Sequence, residues 1–216
     1  MSDGPVIELA TLPARHPKIG EPLLDLFGAQ LVLRLSLDPK RQPAGTRKRK
    51  VMVDRIASTA GAVRQTQVCE IGWDGLPKFS EDYCIRVART INEQRITEDA
   101  AIAVMALLIN ELESVNIDSV LQIGSGGDYF LKLSKNKITV QVEVSGIRED
   151  LEGGRAESRL EEKRAQVLKK SDSGYTSVTT FHRAANGGPH SFLHFVEKED
   201  PKRTPGRKAK RKRKGK

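Results

Sequence analysis

Asp128 and Glu143 are the residues of this chain whose types and spacing point most directly to chemistry. Asp128 follows Gly124-Ser125-Gly126-Gly127 and opens a candidate strand, and glycines there let another group approach the backbone closely. Glu143 sits in a second candidate strand, Ile138–Val144, on the polar side shared with Thr139, Gln141 and Ser145, while Val140, Val142 and Val144 form the other side. If the two strands pair, both carboxylates reach one edge of the sheet. Paired carboxylates with open positions suit Mg²⁺, a hard cation that takes oxygen ligands and keeps several waters. Such an ion polarises a phosphate and lowers the pKa of an attacking water. Taken singly, an Asp after glycines is a turn former and a Glu on the polar side of a strand is solvated. Their joint placement is what raises them above that.

Other combinations carry less. His182, His190 and His194 gather around Asn186-Gly187-Gly188-Pro189, but no Cys or repeated acid completes a metal set, so they read as surface and turn histidines. The Gly124–Gly127 run is too short for a phosphate loop and lacks Gly-Lys-Ser/Thr. Trp73 and Phe79 flank a Gly/Pro turn and read as core or lid residues. Cys69 and Cys84 are the only cysteines, which fits reduced thiols and neither a disulfide scaffold nor a zinc site.

The elements that must position the two acids begin at Thr97, a good N-cap followed by Glu98 and Asp99 at the positive end of a helix. From Ala100 to Leu112 that helix is apolar almost all round, which predicts burial on most sides. One strand runs near Ser119–Ile123 and resumes at Asp128–Leu133, and Ile138–Val144 is the next. Glu157–Lys170 reads as an amphipathic helix with Leu160, Val167 and Leu168 inward, followed by strands at Gly174–Phe181 and Ser191–Val196. This order predicts an α/β (α+β) fold with a mixed central sheet flanked by helices. Upstream, Leu31, Leu33, Leu35 and Leu37 alternate with Arg34 and Ser36, the pattern of a half-buried strand. Residues 40–50 form a basic Pro/Gly loop, and Val51–Val53 and Val63–Ile71 read as further strands. The expected organisation is a β-rich N-terminal region (1–94), an α/β core (95–200) and a disordered polybasic tail (201–216).

A helix, then Gly-Asp-Tyr entering a strand, then an apolar strand carrying Glu143-Val144-Ser145, then a helix and a strand, resembles the PD-(D/E)XK nuclease core over about residues 95–197. The Glu-Val-Ser-Gly strand end is also similar to that of small bacterial proteins. The resemblance implies a restriction-endonuclease-like core acting as a Mg²⁺-dependent endonuclease. Asp128 would then be the first acid, Glu143 the second and Glu98 an extra helical acid holding the metal. It departs from the family's pattern at Ser145, which stands where the lysine belongs and cannot supply the positive charge that stabilises the pentavalent state. Lys132 or Lys163 would have to serve as a relocated lysine. Without one, the same sheet implies a non-catalytic adaptor or scaffold subunit, such as one in a bacterial defence or toxin-neutralising complex, with a protein partner.

Charge is unevenly placed. Lys202, Arg203, Arg207, Lys208, Lys210, Arg211, Lys212, Arg213, Lys214 and Lys216 put ten cations and no acid in the last sixteen residues; the remaining 27 basic residues face 28 acids. The whole formal charge of +9 therefore comes from the tail. Such a run lacks large apolar side chains, repels itself and attracts polyanions, DNA or RNA before a membrane, since no amphipathic or lipid-anchored feature accompanies it. With no long apolar span and no basic-then-apolar opening, the sequence reads as cytoplasmic. Deleting residues 201–216 should remove most nonspecific nucleic-acid binding and flatten its salt dependence while leaving the melting temperature nearly unchanged. Filter binding across a salt series checks this, and retained binding with an unchanged slope would refute it.

Overall fold

A computed structural model describes residues 4–36, 47–56, 64–74, 80–123, 128–135, 138–183 and 188–198, with the backbone alone for Glu81 and for the described residues between 120 and 139. Among the described residues, eight strands form one mixed sheet: β1 (Val6–Glu8), β2 (Lys48–Ile56), β3 (Arg64–Gly72), β4 (Asn116–Ile123), β5 (Asp128–Lys135), β6 (Ile138–Asp150), β7 (Ser173–Arg183) and β8 (His190–Glu197). Their order across the sheet is β1-β3-β2-β8-β7-β6-β5-β4. β4, β5 and β6 form an antiparallel meander, and β6 runs parallel to β7 across an intervening helix, α5 (Arg155–Lys170). The other helices are α1 (Leu12–Arg15), α2 (Glu21–Ser36), α3 (Glu81–Thr90) and α4 (Glu93–Glu113). Among the described residues, no helix is long and apolar enough to cross a membrane.

The α/β class and the mixed, helix-flanked sheet agree with the sequence; several local readings do not. Leu31–Leu35 lies in α2, not in a strand. Its leucines alternate only because the helix is buried nearly all round: Val32 and Arg34, which a strand would turn to solvent, are 4% and 8% exposed. The segments at Ser119–Ile123 and Asp128–Leu133 are not one interrupted strand but two antiparallel ones, with Ile123 opposite Asp128. The N-terminal strands belong to the main sheet, because β2 pairs in parallel with β8 from Met52↔His190 to Ile56↔His194. A boundary at residues 94/95 would cut the first turn of α4. The tail and Phe79 lie outside the described residues, whereas Trp73 is in the core at 4% exposed.

α4 starts five residues earlier than Thr97 suggests. Asn92 caps it, its side chain accepting the Arg95 N–H at 2.8 Å, and Thr97 is instead a buried residue of the second turn. The helix stops at Ser114, which takes a left-handed φ of 53°. From Ala100 to Ile109 every residue is buried, packed between α2 and the sheet face carrying Val142 and Val144. Close seating explains Gly146 on β6: a Cβ there would run into the Thr97 carbonyl oxygen. α5 covers the opposite face with Ala156, Leu160 and Val167 buried, and Leu168 only half-buried. The chain reaches it through Gly153 and Gly154, both at positive φ, and Asp150 accepts the first N–H groups, from Arg155 and Ala156.

His16 pins the N-terminal segment to this core. Fully buried, it donates from Nε2 to the Ala106 carbonyl at 3.1 Å and accepts the Ile117 N–H on Nδ1 at 3.0 Å. Accepting on Nδ1 requires the neutral ring, and burial pushes its pKa down to about 4, against the bond to the Ala106 carbonyl, which favours the charged ring. Because the folded pKa lies below the unfolded value near 6.5, the unfolded state gains the proton first. Stability is then complete above about pH 6.5 and falls as pH drops toward 4, by about 3 kcal/mol in all. Chemical denaturation at stepped pH should show this loss, and His16→Gln should flatten it.

Candidate functional site

Pleating decides what Glu143 meets. Val142 and Val144 face α4, so Glu143 must face α5, where it is 1% exposed rather than solvated. There its Oε1 accepts Lys170 Nζ at 2.9 Å and its Oε2 accepts Lys163 Nζ at 3.4 Å. Lys163 is 2% exposed and also donates to Gln166 Oε1 at 3.1 Å. Lys163 therefore comes to Glu143, as a relocated lysine would. The helix delivers it because Ala156, Leu160, Lys163, Val167 and Lys170 recur along one stripe, so the lysine occupies a core position. That interruption of the stripe is visible in sequence; the continuation to Lys170 was not read.

The other two candidate acids stand on β5 and α4. Asp128 begins β5 opposite Ile123, and Phe130 of the same strand stands opposite Glu143. The side chains of Asp128 and Lys132 lie outside the described residues. Glu98 is on the wrong side of the sheet to join Glu143: α4 packs on the Val142/Val144 face, and Glu98 accepts Gln94 Nε2 at 3.1 Å near its surface. Among the described residues, no three His, Cys, Asp or Glu side chains are grouped to hold a metal.

The histidines are sheet residues, not turn residues. His190 and His194 are 5% and 8% exposed. His194 stands opposite Thr176, six residues along β7 from His182, so about 20 Å separates the two and they share no site. His190 belongs to a buried network that sequence reasoning missed. Its Nε2 donates to Asp54 Oδ2 at 2.5 Å, and its Nδ1 accepts Arg183 Nη1 at 3.0 Å. Asp54 also accepts Thr66 Oγ1 at 2.5 Å and pairs with Arg64; Arg183 continues to Glu157 at 2.6 Å. Burial disfavours the Asp54 charge, but the bonds from Arg64, Thr66 and His190 outweigh it and hold its pKa below the usual value. Burial lowers the His190 pKa, helped by the two arginines and opposed by Asp54. With both ring nitrogens spent, His190 is a connector between β2, β7 and β8, not a free base. The available signal was a charged residue, Asp54, inside the β-rich run Val51–Ile56.

Burial pushes the Cys69 and Cys84 thiols up to about 11, in keeping with inert reduced cysteines. No protein-family model matches the chain, and neither the curated proteins nor the solved structures contain a match to it.

Glu143→Gln should cost about 3–5 kcal/mol in urea unfolding, because it removes the buried carboxylate on which the Lys163 and Lys170 ammonium groups converge. Glu143→Gln combined with Lys163→Met should recover part of that loss. Lys170→Ala, at a side chain 41% exposed, should cost about 1 kcal/mol or less. Equal costs for the two lysines would refute this account.

Proposed function

We propose that this chain is a nucleic-acid-associated protein in which the sheet is a non-catalytic platform and the basic tail holds the polyanion. The observation that carries this reading is the state of Glu143: both carboxylate oxygens are engaged by lysine amines beneath α5, and the residue is 1% exposed. Mg²⁺ needs carboxylate oxygens with open coordination positions and room for its waters. A carboxylate closed between two ammonium groups provides neither, and it already gains its compensation from Lys163 and Lys170. The ten cations of residues 201–216 supply sequence-independent attraction to phosphates. The folded part is then free to engage a protein partner in a larger assembly.

A second reading, a Mg²⁺-dependent endonuclease, draws on one specific observation. Lys163 stands beside Glu143, where it would substitute for the lysine missing at Ser145. In that reading the Glu143–lysine contacts open when metal and phosphate enter.

Incubating the full chain with supercoiled DNA, single-stranded DNA and RNA, in Mg²⁺ or Mn²⁺, separates the two. The platform reading expects salt-sensitive binding, no cleavage, and a melting temperature indifferent to the metal. Metal-dependent cleavage that disappears in Asp128→Ala would establish the enzyme instead.

A further inference from the structure

α2 and α4 meet through apolar side chains and at two polar contacts, Arg34 with Glu93 and Thr97, and the buried pair of Gln30 and Asp99. Gln30 is fully buried and Asp99 is 1% exposed. Gln30 Nε2 donates to Asp99 Oδ2 at 3.0 Å, and Arg95 Nε donates to the same oxygen at 2.9 Å. Gln30 Oε1 and Asp99 Oδ1 are left buried without a hydrogen-bond partner. Both are acceptors, and an ionised carboxylate has no proton to give either. A neutral carboxylic acid beside an amide resolves both at once: the amide N–H donates to one carboxyl oxygen while the carboxyl O–H returns to the amide oxygen. Turning the Gln30 amide over exchanges its nitrogen and oxygen but sets an amide oxygen against a carboxyl oxygen, so a proton is still required.

We infer that Asp99 keeps its carboxyl proton in the folded protein, donating it from Oδ1 to Gln30 Oε1, and that the α2–α4 joint is thereby a pH-sensitive contact. The surrounding charges fit. From α4, Arg95 favours the ionised form and Glu98 opposes it; burial outweighs Arg95 and raises the Asp99 pKa. From α2 the next charged group is Arg34, whose Nη2 is committed to the Glu93 carbonyl at 2.7 Å, the Glu93 carboxylate at 2.5 Å and Thr97 Oγ1 at 2.7 Å. From β6, Arg148 is drawn to the same Glu93 carboxylate, 3.6 Å away. Arg34 and Arg148 are thus matched by Glu93, not by Asp99.

The sign follows. With the folded pKa above the unfolded value, the folded state holds the extra proton, so this contribution is full below the ordinary aspartate range and is lost as pH rises through the folded pKa. Asp99→Asn is the informative substitution, because its amide N–H reproduces the carboxyl donor at every pH. The melting temperature of the full chain should fall relative to that of Asp99→Asn as pH rises from about 4 to 9. In wild type, the side-chain carboxyl carbon of Asp99, followed by NMR, should titrate above the other aspartates. The proposal is overturned if that carbon titrates with the surface aspartates, and the NMR result decides alone should Asp99→Asn not fold. It is also overturned if Asp99→Asn is destabilised by the same margin at every pH, the result expected of a plain ion pair with Arg95.

Discussion

Everything in this molecule is arranged around the burial of α4. A helix whose residues from Ala100 to Ile109 are all removed from water has no polar side to spare, so it needs apolar cover from α2 on one side and from the sheet on the other. That requirement assigns the two faces of β6. Valines go to α4, and the alternate residues, Glu143 among them, must then go to α5. The apolar cluster under α5, formed by Ile147, Ala156, Leu160, Val178 and Phe192, is the smaller one, and Glu143 and Lys163 are buried on the same side.

Charges placed on that second face are held by neighbours distant in sequence. Asp54 of β2 is tied to His190 of β8, His190 to Arg183 of β7, and Arg183 to Glu157 of α5. Phe192 reinforces the cluster: His190 stacks on it at 4.4 Å, and Arg64 and Arg183 lie 5.6 and 5.5 Å from its centroid. Removing one member leaves a buried partner unmatched, so the network penalises any separation of the N-terminal strands from the C-terminal half.

The sequence was legible where one face had to be dry and misleading where both were. α4 announced itself by its apolar girth, and β6 by strict alternation of Val140, Val142 and Val144. α2 did not, because a helix buried on nearly every side gives leucines at every second position as readily as at every fourth. The start of α4 was misplaced for a related reason: Thr97 has the chemistry of a cap, but Asn92 provides one a turn and a half earlier, and capping preference does not choose between them. Lys163 was legible as a candidate because its helix could be drawn. Asp54 and His190 were not, since their meeting depends on the parallel pairing of β2 with β8, a contact 136 residues apart that no local pattern encodes.

The same accounting of charge bears on how this protein would meet a polyanion. Many acids of the described residues are already matched: Glu143 by two lysines, Asp54 by Arg64, Glu113 by Arg55, Glu111 by Arg15 and Asp118 by Lys18. Ion pairs cancel at distances beyond their own separation, so the folded part offers a phosphate backbone little net field. The ten cations of residues 201–216 have no acid among them to cancel against. With the basic run of residues 40–50, which also holds no acid, that segment is where cations stand in local excess, and neither run depends on a buried ion pair of the body opening. If instead Glu143 were to take up a metal, its contacts with both Lys163 and Lys170 would have to open, and a phosphate entering with the metal would offer the two ammonium groups an anion in exchange.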